Sequence, residues 1–195
     1  MKFIFIRHGQ TTGDVEKRLG GAYNDHLSLE GHDQAQKLAD KLADKGIELL
    51  YVSPFIRTQE TAEYIVRKIG CPTLTDSDLK ERDQYGFLTG LVKHYAEMRY
   101  SDIMFQLRNP MFNLEGAETY QDFQARVTAA FERITADTSH KVVAVLWHGG
   151  PMRILFRHIL GKGEIKYSDC SFVVLEKTDQ GFDIAEMDGL ELLSR

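Results

Sequence analysis

The chain has 195 residues, 43% hydrophobic and 27% charged. That composition folds rather than staying disordered, and the length fits one domain, or one domain with a substantial insertion. The formal net charge of −5 argues against general nucleic-acid binding, which needs a basic stripe, but leaves room for a small cationic pocket. No stretch approaches the ~20 apolar residues of a membrane span. The apolar run after Met1-Lys2, Phe3 to Ile6, is too short for the core of a secretion signal. The two cysteines, Cys71 and Cys170, lie far apart outside any CxxC pattern, so a reduced, cytoplasmic setting is expected.

In chain order, Lys2 to Ile6 reads as a buried strand. Residues 10–27, with Gly13, Gly20, Gly21, Asn24 and Asp25, read as a loop. Ser28 caps a helix running to about Lys45, with Ala35, Leu38, Ala39 and Leu42 on one face and Gly46 after it. Leu49 to Ser53 is a second strand, broken by Pro54 and followed by a helix that ends at Gly70. A short strand follows near Thr73 to Thr75.

Residues 83–117 are punctuated by Gly86, Gly90, Asn109, Pro110 and Gly116, with one helix expected from Leu91 to about Gln106. A helix over roughly 119–136 leads to the apolar strand Val142 to Trp147. A further helix is expected from Pro151 to Leu160. Ser171 to Glu176 and Phe182 to Glu186 form a hairpin around Asp179-Gln180-Gly181. Strands alternating with helices, and two strands that are continuous apolar runs, predict an α/β fold: a mostly parallel central sheet with helices on both faces, a three-layer sandwich.

Two strands end alike. Ile6 runs into Arg7-His8-Gly9, with Thr11 two residues on, and Trp147 runs into His148-Gly149-Gly150. In a parallel sheet these C-terminal ends share one edge, so His8 and His148 can converge. A third strand ends at Ser53, and Arg57 lies in the first turn of the next helix. Two imidazoles, Arg7 and Arg57 facing one small volume suit a phosphoryl dianion, because guanidinium matches phosphate oxygens in a planar, bidentate way. The glycines let backbone N–H groups approach closely.

The ordered set resembles the histidine phosphatase superfamily, in its phosphoglycerate-mutase-like branch. The resemblance rests on Arg7-His8-Gly9-Gln10-Thr11, Leu27-Ser28-Leu29-Glu30-Gly31 and Ser53-Pro54-Phe55-Ile56-Arg57-Thr58. Glu81, Gly116-Ala117-Glu118-Thr119 and His148-Gly149-Gly150 complete it. It implies that His8 takes the phosphoryl group, and that Arg7, Arg57 and His148 hold its oxygens and stabilise transition-state charge. Glu81 would protonate the leaving oxygen and then activate water. Gly9, Thr11, Gly149 and Arg82 are expected to bind substrate, Arg82 either through a second anionic group or paired instead with Asp83. Asp14 and Glu118 are expected behind them, and Arg153 as a brace for the last helix. The resemblance also implies a small helical cap at about 83–117 over the C-terminal strand ends, within one domain spanning 1–195, and a small phosphate ester as partner.

The chain departs from the family pattern at Asp14, where Asn is frequent, and at Gly13, where Trp is. Residues 81–118 are too few for the long enclosing insertion of the cofactor-dependent mutases. Hydrolysis is therefore preferred over phosphoryl transfer by a mutase, with a non-catalytic phosphate-sensing module as a further alternative. No metal or cofactor is expected: a cluster of His8, His148, Asp14 and Glu81 would set a dication beside two arginines.

Overall fold

In the computed structural model, residues 1–193 are described. The chain begins with β1 (Lys2–Arg7) and a single helical turn, α1 (Thr12–Val15). Next come α2 (Leu29–Leu42), β2 (Leu49–Val52), α3 (Ile56–Ile69) and β3 (Thr73–Thr75). Two short helices, α4 (Lys93–Arg99) and α5 (Ser101–Gln106), precede α6 (Tyr120–Ala136) and β4 (Val142–Trp147). Helix α7 (Gly149–Ile154) widens into a π turn at Leu155–Ile159, and β5 (Ile165–Thr178) and β6 (Gly181–Leu192) close the chain.

Among the described residues, six strands form one sheet in the order β3-β2-β4-β1-β5-β6. The β3, β2, β4 and β1 strands run parallel, while β5 is antiparallel to both β1 and β6. Side chains of a strand alternate between faces. Phe3 and Phe5 of β1 join a core with Phe123, Val127 and Phe131 of α6 and Met152 of α7. Ile4 and Ile6 join another with Leu38 and Leu42 of α2 and Ile65 of α3. Burial on both faces explains why β1 and β4 read as unbroken apolar runs. A third, smaller cluster gathers Leu19, Leu88, Ala96 and Leu114. It ties the 83–117 segment to the loop after α1, through Leu19 N–H to Leu91 O (2.9 Å) and Gly90 N–H to Leu19 O (2.8 Å).

The local signals explain most element ends. Ser28 Oγ accepts the Gly31 N–H (3.0 Å), and Gly70 closes α3 at φ 77°, a conformation that glycine adopts without strain. Four expectations need correction. The 10–27 loop contains α1, because Thr11 and Asp14 form a reciprocal cap. The helix after Ser28 stops at Leu42, not Lys45. The single helix expected over Leu91–Gln106 is two, broken at Tyr100 (φ −132°, ψ 43°), where Ser101 and Asp102 favour a fresh helix start. The hairpin strands are far longer than expected, starting at Ile165 and ending at Leu192.

Candidate active site

The parallel register places the strand ends side by side. Arg7 pairs with Trp147, the His8 N–H donates to Trp147 O (3.3 Å), and the Ser53 N–H donates to Leu146 O (3.0 Å). His8, His148 and Ser53 thus leave three neighbouring strands at one level, with the two imidazole centroids 5.1 Å apart.

The hydrogen bonds fix both tautomers. His8 Nδ1 lies 2.7 Å from Gly9 O, a carbonyl that can only accept, so Nδ1 carries the proton and Nε2 keeps a lone pair. Arg57 Nε–H donates to that Nε2 (3.2 Å) and to His148 Nδ1 (3.2 Å). His148 Nε2 is therefore the protonated nitrogen and donates to Ser53 Oγ (2.8 Å). Both histidines are held well below the ordinary imidazole range, first by burial and then by the positive charge of Arg57. For His8 the charge of Arg7 adds to this. The two rings stay neutral, and His8 presents an unprotonated nitrogen.

Arg57 is the hub. Its Nη1 donates to Tyr23 O (2.6 Å) and Asp25 Oδ1 (3.1 Å), and its Nη2 donates to Gly21 O (3.1 Å). The Arg57 and Asp25 side chains are only 5% and 7% exposed, so the pair is a buried one. Burial pulls the Arg57 pKa down while Asp25 opposes that shift. Arg7 forms an ion pair with Asp169 Oδ1 (2.6 Å) and lies over the Tyr167 ring (4.9 Å). Its buried Nε has no partner among the described residues.

These groups line a cavity of about 110 Å³, whose walls include Arg7, His8, Thr11, Asp14, Arg18, Arg57 and Glu81, together with Asp25, Gly149 and Tyr167. At about 30 Å³ per liquid water, that is room for one phosphoryl group and little more. Asp14 is turned to its own cap: its carboxylate accepts the Thr11 N–H (3.0 Å) while Thr11 Oγ1 accepts the Asp14 N–H (3.0 Å). Glu81 is anchored by two N–H donors, from Arg82 (2.9 Å) and Gly150 (2.8 Å). Gly149 and Gly150 leave room for the side chains packed against them. A Cβ on Gly149 would lie 2.3 Å from Tyr167 Oη, and one on Gly150 would lie 2.0 Å from Glu81 Oε1.

Other expected residues stand off the cavity wall. His148 is fully buried behind Arg57. Gly9 spends its N–H on Thr61 Oγ1 (3.3 Å). Arg82 is not paired with Asp83: its guanidinium donates to Glu118 O (3.0 Å) and Pro110 O (3.0 Å), on the wall of an adjoining recess of about 480 Å³. Glu118 pairs with Arg126 through both oxygens (2.8 Å each), and Arg126 in turn holds Asp78 O and Lys80 O, just before Glu81. Arg153 lies over Tyr167 (5.0 Å) on the recess wall.

The sequence reading missed Asp25, Ser53 Oγ, Tyr167 and Asp169. Tyr167 and Asp169 sit two apart on β5, at the start of and within a register shift that also holds Cys170 at φ 54°. Their alternation, upstream of the apolar run from Phe172, was the available signal for a strand reaching past the sheet edge.

The family model for the histidine phosphatase superfamily (branch 1) matches residues 3–188. The chain is 30% identical over 160 residues to the phosphoglycerate mutase-like protein 4 of Arabidopsis thaliana, covering 80% of this chain and 69% of that protein. It is 28% identical over 187 residues to the 2-carboxy-D-arabinitol-1-phosphatase of Triticum aestivum, covering 92% of this chain and 37% of that protein. In fold it is similar to the alpha-ribazole phosphatase of Shigella flexneri, with a TM-score of 0.86, 19% identity and 96% of each chain covered. The match over nearly the whole length, on a sheet whose parallel strand ends carry Arg7-His8, Arg57 and His148, makes this chain a member of the histidine phosphatase superfamily and an enzyme of that type.

Proposed function

We propose that this protein is a phosphomonoesterase that hydrolyses a small phosphate ester, without a metal, through a phosphohistidine at His8. The observation that carries this reading is the His8 tautomer: Nδ1–H is spent on Gly9 O, so Nε2 keeps its lone pair, on a residue that lines a cavity the size of a phosphoryl group. Arg57 Nε–H donates to that nitrogen. A phosphoryl oxygen is a far better acceptor for a guanidinium than a neutral imidazole. Arg57 therefore favours a substrate's phosphoryl oxygens over the imidazole. Arg7 Nε offers a second donor to the same oxygens. His148 acts through Arg57 and His8, holding both at the strand ends.

His8 Nε2 then attacks phosphorus as the ester P–O bond breaks, and Glu81 gives its proton to the departing oxygen. Glu81 suits this role because it lines both the phosphate cavity and the adjoining recess, at the boundary where the ester oxygen must lie. Asp14 and Asp25 line only the former. In the second half, water loses a proton to Glu81 and attacks phosphorus, the P–N bond breaks, and inorganic phosphate leaves with the lone pair restored to Nε2. The arginines neutralise charge on the transferring group, so positioning and electrostatics supply most of the catalysis. We assign the segment 83–117 as a cap within one domain, contributing Gln84, Tyr85, Arg108 and Pro110 to the recess.

A mutase reading draws on the mutase-like relative. Against it stands the short stretch between Glu81 and Glu118, which leaves no length for an enclosing insertion that would keep water from the phosphoenzyme. The test is turnover of 4-nitrophenyl phosphate with a base quench, which preserves phosphohistidine, followed by mapping of the label. Wild type should carry it on His8, and His8→Ala should lose at least ~10³-fold in kcat with no label. Turnover by His8→Ala within about tenfold of wild type would overturn the reading.

A further inference from the structure

Arg7 and Arg57 share the phosphate cavity but are held differently. Arg57 is gripped by the Tyr23 and Gly21 carbonyls and by buried Asp25. Arg7 has one ion-pair partner among the described residues, Asp169, and rests on the face of the Tyr167 ring. A long side chain with a single polar anchor loses its one geometry when that anchor is removed.

The backbone around Asp169 leaves the ladder to reach Arg7. The last β1–β5 pair is Ile6 with Phe172, and on the other side Tyr167 pairs with Leu190 and Phe172 with Asp188. Ser168, Asp169, Cys170 and Ser171 therefore stand opposite Gly189 alone, as a bulge. Two contacts pin it. The Cys170 N–H donates to His8 O (3.1 Å), and Ser168 Oγ donates to Gly189 O (3.3 Å). Gly189 sits at φ 66°, and a Cβ there would lie 2.4 Å from Ser168 Oγ and 3.1 Å from Ser171 Cβ, so glycine gives the bulge room to close. Cys170 takes φ 54°, a strain that a non-glycine residue keeps only where its surroundings impose it. A bulge tied to the carbonyl of His8 thus aims a carboxylate at the first arginine.

We propose that Asp169 is a positioning residue for phosphoryl transfer: through its pair with Arg7 it holds that guanidinium in the phosphate cavity beside His8. Asp169 itself does not line the cavity, so it acts only through Arg7. This rests on the phosphomonoesterase reading, because that reading puts a phosphoryl group against Arg7 and His8. Charge alone predicts the opposite outcome. A carboxylate near an anion site repels the anion, so its removal would tighten binding and leave turnover intact.

Asp169→Ala should lower kcat for 4-nitrophenyl phosphate about 10–100-fold with KM within about threefold, because lost order and lost repulsion offset each other only in binding. Asp169→Asn, which keeps an oxygen acceptor for Arg7, should recover part of the loss. In an Arg7→Met background the Asp169→Ala change should cost less than about twofold, since the group it positions is gone. The heteronuclear NOE of the Arg7 Nε–H signal, assigned by its disappearance in Arg7→Met, reads the order without turnover: rigid in wild type, mobile in Asp169→Ala. If Asp169→Ala does not fold, Asp169→Asn takes its place in the cycle and in the NOE comparison. An unchanged kcat, an unchanged NOE, or losses that multiply with those of Arg7→Met would overturn the proposal. Failure of the phosphatase reading shows elsewhere, as turnover that survives His8→Ala, and the NOE then still decides whether Asp169 orders Arg7.

Discussion

Gly150→Ala separates the acid from the nucleophile. A Cβ at 150 would lie 2.0 Å from Glu81 Oε1, 2.9 Å from its Cδ and 3.1 Å from Phe123 Cζ. The nearest atoms belong to the free end of a long side chain, so Glu81 swings away before α7 shifts. The swing breaks the bonds from Gly150 N–H (2.8 Å) and Arg82 N–H (2.9 Å) to the carboxylate. Each is a charge-assisted bond of about 1.5–3 kcal/mol, partly regained from water. Folding stability should therefore fall by only about 2 kcal/mol, but the acid no longer meets the ester oxygen. A positioned general acid contributes ~10²–10⁴ in rate. That factor applies to kcat/KM for glycerol phosphate, whose alkoxide needs a proton. For 4-nitrophenyl phosphate, whose phenolate leaves unaided, kcat/KM should fall by less than about tenfold. Steady-state kinetics on the two esters, beside Glu81→Gln, reads the difference. Equal losses on both would mean that the site had simply collapsed. No loss on either would mean that Glu81 is not the acid.

Three further outcomes follow from the same contacts. Asp25→Ala strips Arg57 of its buried counterion and leaves the Gly13 N–H (3.0 Å from Asp25 Oδ2) without its acceptor, so a urea midpoint should show a loss of about 3 kcal/mol; less than 1 kcal/mol would contradict the pairing. His8 and His148 have pKa values lowered on folding, so below about pH 6.5 the unfolded chain binds protons that the native state refuses. Stability is thus complete above that pH and falls on acidification, by up to about 1.4 kcal/mol per pH unit for each histidine. His8→Gln should reduce that slope, and a slope unaffected by the variant would refute the neutral assignment. Burial pushes the Cys170 thiol up to about 12 and raises Cys71 as well, so neither should be alkylated by iodoacetamide in native protein at pH 8; rapid labelling detected by mass spectrometry would contradict their burial.

The parts of the site legible in the sequence are those set by local pattern. An apolar run that stops at Arg7-His8, and another that stops at His148, fix which residues leave a parallel sheet at its C-terminal edge; the β1–β4 register then brings them together without further instruction. Arg57 was legible because Pro54 ends the strand and forces the helix to begin near it. What remained hidden depends on pairing across long separations. Asp25 reaches Arg57 only because Tyr23 O and Gly21 O wrap the same guanidinium, an arrangement that no spacing in a glycine-rich loop encodes.

Tyr167 and Asp169 were hidden for a different reason. They lie in the part of β5 that runs ahead of its apolar core, beyond the stretch of β1 with which it pairs, where polar alternation looks like loop. Yet that overhang is what lets β5 serve the site. Antiparallel pairing beside β1 carries the chain back past His8, with the Cys170 N–H donating to His8 O (3.1 Å), so Asp169 arrives at Arg7 as a consequence of strand direction. A parallel strand in that place would have approached from the far edge and offered its opposite end. The one antiparallel neighbour of β1 thus supplies the carboxylate that orients the first arginine, and the aromatic ring that links it to the recess.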